Sequence, residues 1–436
     1  MKGPLHFVKQ VAVRVRRTDS REFAWGFASQ VASSATNLAL SILAGRLLGA
    51  DGLGLVFVGF SYYLLAMGFQ RSLISDPLLA VTSSLDEETR REATRSALTA
   101  VLLWSVAATT FLIVASVAVQ GKVGHGLVLF VPWLLPALVQ DFWRSVLFRD
   151  RRGGAGALND TLWFAGMAVT LPLVLWVRTD WVVVGNWGFG ALVAFSVGLI
   201  QLRVRPAGTL TSVRWWRTRA WALGRLLAAE SIVYTVSAQL LVFLIAGILG
   251  TGPLGGLRAV QALFGPLSLL GSALALPGLP AISRAIAVST DHAARLAIRI
   301  GGLAVFLTGA YLGIAAVFGN RLLEWVFGPS FDSFGSLILP IGIGQVLLAS
   351  TIGLALLLKA RARGGALLVA RVVGSASSLV LVLTLAVTHG ITGAAWGMAL
   401  ASGLSSLVLV AYSLGGWGRH WAARGDAAAS RDATLQ

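Results

Sequence analysis

The chain has 436 residues, 56% of them apolar and only 12% charged, with a mean hydropathy of +0.79 and a net charge of +17. Soluble domains carry about 25% charged residues, so a water-soluble globule of this size is excluded. The absence of cysteine excludes disulfides and thiolate metal sites. Arg outnumbers Lys 31 to 4 beside abundant Ala and Gly, which reads as a bacterial high-GC codon bias rather than as chemistry.

Residues 1–22 form a basic segment with six Lys or Arg. Leu5, Val8, Val11 and Val15 recur at helical spacing among Lys9, Arg14 and Arg16. Two readings stand for them: an interfacial helix lying on the inner surface, or a disordered basic arm. The first apolar run begins only after Arg21 and is too long for the h-region of a signal peptide, so it is read as its own insertion signal.

From there the apolar runs give twelve candidate spans, at about 23–48, 54–79, 97–119, 127–148, 160–177, 181–202, 226–249, 254–281, 298–319, 336–358, 367–388 and 391–414. The run from Ala97 to Val119 has 23 residues without an ionisable group, where a crossing needs about 20. Backbone groups cannot stay unpaired in lipid, so each span is expected to be a helix.

Between the first and second spans lies LLGADGLG (Leu47 to Gly54), and 201 residues later, between the seventh and eighth, lies ILGTGPLG (Ile248 to Gly255). The second copy contains G-x-G-x-x-G, the fingerprint of a dinucleotide-binding loop. That motif requires a preceding strand and an acidic residue about 20 positions on, and neither is present. The glycines are instead expected to let a helix end and reverse, since Gly tolerates positive φ. The same motif after the first span of each set of six divides the chain into halves. The expected fold class is an all-α integral membrane protein of about 12 transmembrane helices, in two six-helix lobes related by an internal repeat. Residues 23–205 form the N-lobe, 206–225 a basic linker, 226–414 the C-lobe and 415–436 a tail. In the linker region, Trp215, Trp216 and Trp221 are expected at headgroup level.

Orientation follows from the basic residues. Alternate segments, beginning with the N-terminus, hold 27 Lys or Arg, whereas the opposite loops hold only Arg46, Lys122, Arg178 and Arg321. Both termini are therefore expected in the cytoplasm. The surplus charge then serves to hold loops against anionic membrane lipids, and nucleic acid is not needed as a partner. The five His, at 6, 125, 292, 389 and 420, fall on different predicted sides, which argues against a histidine metal site. No cofactor motif is present.

The chemistry-bearing residues are the ionisable ones inside spans: Arg71, Asp76, Asp141, Arg144, Glu230, Arg258 and Arg371. Burying one costs roughly 2.5–3.5 kcal/mol on insertion scales, so each needs a cavity, a partner or a route to the interface. Arg71, Arg144 and Arg371 lie near predicted inner ends and are able to snorkel there. Asp141 and Arg144 stand three residues apart on one helix and are able to neutralise each other. Glu230 serves either as a coupling carboxylate or as a partner for Arg225. Arg258 lies a turn inside span 8 from the outer side with no acid near it in sequence; its planar fork suits a phosphate or diphosphate, and the alternative is outward snorkelling. Span 8 also carries Pro266, Pro277 and Pro280, which predict a kink.

The stretches LAGRLLGADGLGLVFVGFS (Leu43 to Ser61), GLRAVQALFGPLSLLGSALALPGLPAISR (Gly256 to Arg284) and VFGPSFDSFGSLILPIGIG (Val326 to Gly344) resemble the Wzx-type polysaccharide and O-antigen flippases of the multidrug/oligosaccharidyl-lipid/polysaccharide (MOP) exporter superfamily. The resemblance implies a two-lobed bundle in the bacterial cell membrane that moves an undecaprenyl-diphosphate-linked sugar or oligosaccharide by alternating access. Glycan polymerases or glycosyltransferases are the implied protein partners. Its cavities tend to be cationic, which would place Arg258, Arg71, Arg144 and Arg371 as substrate-binding residues, with Asp141, Glu230 and Asp76 as coupling or pairing carboxylates. The Arg-Asp pair in span 1 and the fourteen spans usual in flippases for the peptidoglycan precursor are not visible. A multidrug antiporter of the same superfamily would want a carboxylate deep in span 1 or 7, where only Glu22 at the mouth and Glu230 are found. A polytopic glycan polymerase or glycosyltransferase would need an extended outer loop, and the best one, Gly319 to Gly335, offers only Glu324 and Asp332.

Overall fold

The computed structural model describes residues 4–82, 86–221, 225, 232–361 and 364–414, and no strand occurs among them. Seven helices are long and apolar enough to cross a membrane, and a pair bent by 51°, Gly121–Val128 with Val131–Arg149, makes an eighth. Two of the seven are double. The helix Pro4–Gln70 breaks at Gly49, and Gly364–Leu414 breaks at Gly390. Ser237–Leu249 is a shorter apolar helix at the place expected for the end of span 7, and the helices that follow Gly250 stand at the place expected for span 8.

The breaks follow a rule. Among the described residues, positive-φ glycines occur at Gly49, Gly121, Gly250, Gly328 and Gly390, and Arg151, Arg178 and Arg203 also have positive φ. The five glycines and Arg178 fall in the six connections that the sequence shows to be poor in basic residues. Gly49 (φ 71, ψ −171) and Gly250 (φ 89, ψ 173) are the two residues matched by the sequence repeat. Their backbone lies in a region open essentially to glycine alone. The turn reading of the repeat is therefore correct, and the helix Ser237–Leu249 stands where a dinucleotide loop would need a strand. The other matched glycines, Gly54 and Gly255, lie inside the helices that follow.

Several spans differ in detail from expectation. Residues 4–48 form one unbroken helix, so no separate surface helix precedes span 1. Span 8 breaks at Phe264–Gly265, where Pro266 starts the next helix; the chain then runs helically through Pro277 and Pro280. Proline at the first position of a helix costs no hydrogen bond. The helix Thr290–Phe327 takes up most of the expected outer loop after Gly319, leaving a short turn at Gly328.

The apolar residues face outward as well as inward. Trp176, Phe111, Phe306 and Leu407 are 83%, 64%, 69% and 66% exposed, while Gln70, Gln140, Asp141, Asn159 and Asp160 are buried. Water would penalise such a surface and a bilayer does not. Small residues bring the helices together: a Cβ on Gly190 of span 6 would lie 2.4 Å from the Trp163 carbonyl of span 5, the close packing typical of membrane helices. Trp187 fills the middle of this region, with the rings of Phe60, Tyr63, Phe130 and Trp163 centred 5.1–5.9 Å away.

The chain forms two compact units, Met1–Ala246 and Gly247–Gln436. The first takes in spans 1 to 6, the linker and most of span 7. Thr235 packs on span 2 so closely that a Cβ on Gly68 would lie 2.9 Å from its methyl group.

Candidate functional site

The first unit gathers its embedded charges near the basic end of the bundle. Span 2 changes there from α-helix to a π-helical turn, Arg71–Ser75, an irregularity frequent at functional sites. Arg71 opens that turn and grips Asp141 of span 4 with two bonds, Nε donating to Oδ2 at 2.9 Å and Nη2 donating to Oδ1. Asp141 is buried, with 4% of its side chain exposed, against 40% for Arg71.

Arg144, one turn further along span 4, reaches Asp160 of span 5 with Nε at 3.3 Å from Oδ2. Its Nη2 also donates to Gln30 Oε1 of span 1 at 3.4 Å. Asp160 accepts from the Ser29 hydroxyl and from Gln140 Nε2 at 2.9 Å. Gln140 donates as well to Asn159 Oδ1 at 3.0 Å, and Asn159 donates to the Ala194 carbonyl at 2.8 Å and to Gln201 Oε1 at 3.2 Å. One polar network thus ties spans 1, 4, 5 and 6 together inside apolar walls, with each acid satisfied by several donors.

The expected neutralisation between Asp141 and Arg144 is not what forms. Each takes a partner from another helix, because a cross-helix guanidinium can approach a carboxylate with its fork aligned. Arg71 and Arg144 each bind an acid of a neighbouring helix, with 40% and 18% of their side chains exposed. Asp160, Asn159, Gln140 and Ser29 were not singled out in the sequence. The signal for Asp160 was its place at the edge of an apolar run, where an acid reads as an ordinary helix start.

Two cavities flank this network. A small one of about 160 Å³ touches Asn37, Tyr63, Arg71, Gln140, Arg144 and Asp160. A larger one of about 570 Å³ opens beside it and is lined by Arg71, Arg90, Arg144, Arg149 and Arg151, against Asp76 and Asp141. The deep part is charge-balanced, and the cationic surplus stands at the mouth.

The other candidates lie elsewhere. Arg258, half-buried in the helix Thr251–Leu263, and Arg371, on an exposed face of the helix Gly364–Leu414, belong to the second unit. Glu230 lies outside the described residues. No group of three or more His, Cys, Asp or Glu that could hold a metal ion occurs among the described residues.

No protein-family model matches the chain, and no curated protein matches it in sequence. Solved structures do. Lipid II flippase MurJ in an inward closed conformation aligns with a TM-score of 0.69 at 12% identity, over 90% of this chain and 87% of that one. An inward-facing multidrug resistance MATE family transporter of the MOP superfamily aligns with a TM-score of 0.67 at 14% identity, over 87% and 93%. A MOP superfamily transporter from Pyrococcus furiosus, whose structure was described as having a binding pocket of reverse polarity, gives 0.61 at 12% identity, over 91% and 94%. The fold is therefore shared with solved MOP transporters, which have twelve transmembrane helices in two lobes. At these identities the likeness is one of fold.

Proposed function

We propose that the protein is a flippase that moves an undecaprenyl-diphosphate-linked sugar or oligosaccharide across the bacterial cell membrane by alternating access, for surface polysaccharide biosynthesis, with both termini in the cytoplasm. One observation carries the reading: the larger cavity presents five arginines against two aspartates at the basic end of a transporter fold. Its volume of about 570 Å³ is in the range of ligand sites, roughly 300–1,000 Å³. Arginine forks match the oxygens of a diphosphate, and a lipid carrier would lie along the apolar outer surface. Arg258 is assigned here to the same diphosphate at a later stage of transport.

Deletion of the gene, followed by lipid analysis, tests the reading. Diphosphate-linked oligosaccharide accumulates on the cytoplasmic leaflet, and Arg258→Ala reproduces this with protein still in the membrane. Normal surface glycan in the deletion strain counts against the function, and in the Arg258→Ala strain it removes that residue from the site.

The alternative is a MATE-type cation antiporter, favoured by the buried carboxylates of Asp141 and Asp160. Both are engaged by arginine, so a coupling cation would have to displace a guanidinium. Ion-gradient-dependent drug efflux from vesicles, unaffected by lipid-linked sugar, would establish it. A glycan polymerase or glycosyltransferase is less well supported, because the segment from Gly319 to Phe327 is helix rather than loop. Product formation from lipid-linked sugar in detergent is the measurement that would revive it.

A further inference from the structure

A second basic cavity, of about 290 Å³, lies on the other side of the wall formed by Arg90 and Arg149, among the ends of spans 3, 4 and 6. Arg91 and Arg152 complete its cationic lining, opposed by Glu87 and Asp150. The surplus is two positive charges. Thr94 and the apolar Val146, Leu202 and Val204 form the remaining wall.

Existing contacts leave much of this lining unused. Arg149, with 6% of its side chain exposed, donates from Nε to Asp150 at 2.9 Å and from Nη1 to Thr82 Oγ1 at 3.4 Å. Arg152 donates from Nη2 to the Gln201 carbonyl at 3.1 Å, and Arg90 stands 3.6 Å from Glu87. Arg91 forms no ion pair among the described residues. A guanidinium carries five N–H donors, so most of the donors in the cavity remain available. Four arginines beside one apolar wall at the basic end of the bundle fit a small anion attached to an apolar body.

We propose that this cavity binds an anionic phosphate ester, separately from the transport cavity. Its sources are the head group of an acidic phospholipid or a soluble phosphate. Because Arg90 and Arg149 line both cavities, occupancy here sets the position of two arginines of the larger cavity and so adjusts transport.

The test uses the full chain in phosphatidylcholine nanodiscs with or without phosphatidylglycerol, released for native mass spectrometry. Wild type retains phosphatidylglycerol, and the Arg91→Gln, Arg152→Gln double variant retains about tenfold less, the loss expected for charged hydrogen bonds. Arg214→Gln, at an exposed site outside the cavity, retains the wild-type amount. Arg91→Gln alone gives a smaller loss and guards against misfolding, since it breaks no ion pair. Inorganic phosphate in phosphatidylcholine discs supplies the second arm: a rise in melting temperature in wild type but not in the double variant assigns the site to soluble phosphate. Equal phosphatidylglycerol retention by wild type and double variant, with no response to inorganic phosphate, overturns the site. Retention is read without transport, so this result and the flippase result stand or fall separately.

Discussion

Asp141 takes Arg71 although Arg144 stands three residues away on its own helix. A pair at that spacing on a solvated helix contributes only about 0.2–0.5 kcal/mol, whereas a forked pair between helices gains two charge-assisted bonds in a drier setting. Removing one partner of a buried pair leaves a stranded charge, at a cost of about 3–5 kcal/mol. Asp160 is the more enclosed acid, with 3% of its side chain exposed. Arg144→Ala strands that buried acid and should therefore lower the melting temperature in detergent more than Asp141→Ala, which strands Arg71, whose side chain is 40% exposed. A double-mutant cycle on Arg71 and Asp141 should give a coupling of about 1–3 kcal/mol, and one on Asp141 and Arg144 close to zero. Strong Asp141–Arg144 coupling would contradict the pairing.

At the scale of elements, the turns and caps decide where each helix stops. Gly49→Ala and Gly250→Ala place a side chain in glycine-only backbone and should each cost about 1–3 kcal/mol. Gly309→Ala, in the helix Thr290–Phe327 with open space around its Cβ position, should be neutral or stabilise by up to about 1 kcal/mol. Comparable melting of all three would count against the turn geometry. Span 3 starts at a cap, where Asp86 accepts from the Thr89 amide at 3.0 Å and the Thr89 hydroxyl at 2.9 Å. The Thr89 amide holds the Asp86 carboxyl below its usual range. A depressed carboxyl stabilises the folded state above its unfolded value and loses that effect as pH falls through its folded value. Hydrogen exchange at the start of span 3 should therefore quicken below about pH 4, and Asp86→Ala should abolish that pH dependence.

Each unit turns apolar side chains outward, and the first encloses a polar network, the inverse of a soluble domain, because the surrounding solvent is lipid. The charges of the sequence then act as a compass, with 27 basic residues in alternate segments against four in the others. The absence of cysteine makes the topology directly measurable. Arg178→Cys should react with an impermeant maleimide in intact cells, and Arg91→Cys or Arg205→Cys only after permeabilisation. Labelling of Arg91→Cys from outside would invert the orientation and move the basic cavities to the wrong face for a substrate made in the cytoplasm.

The sequence by itself determined the class, most of the crossings, the repeat and the two turn glycines within it, Gly49 and Gly250. Each of these is local, set by about 20 residues of transfer free energy or by one residue's φ. Arg71, Asp141 and Arg144 were visible as charges that lipid would not tolerate bare. Their partners were not, because pairing across helices depends on which faces meet. Asp160, 131 residues from Ser29 and brought to its hydroxyl, carries no sign of that contact in its neighbours. Likewise the break in span 8 fell at Gly265 and Pro266, where a proline at the first helical position has no hydrogen bond to lose. Tertiary structure alone decided that the deep charges cancel and that the surplus arginines line the mouth: charge balance belongs to a cavity, and a cavity exists only once helices distant in the chain have packed.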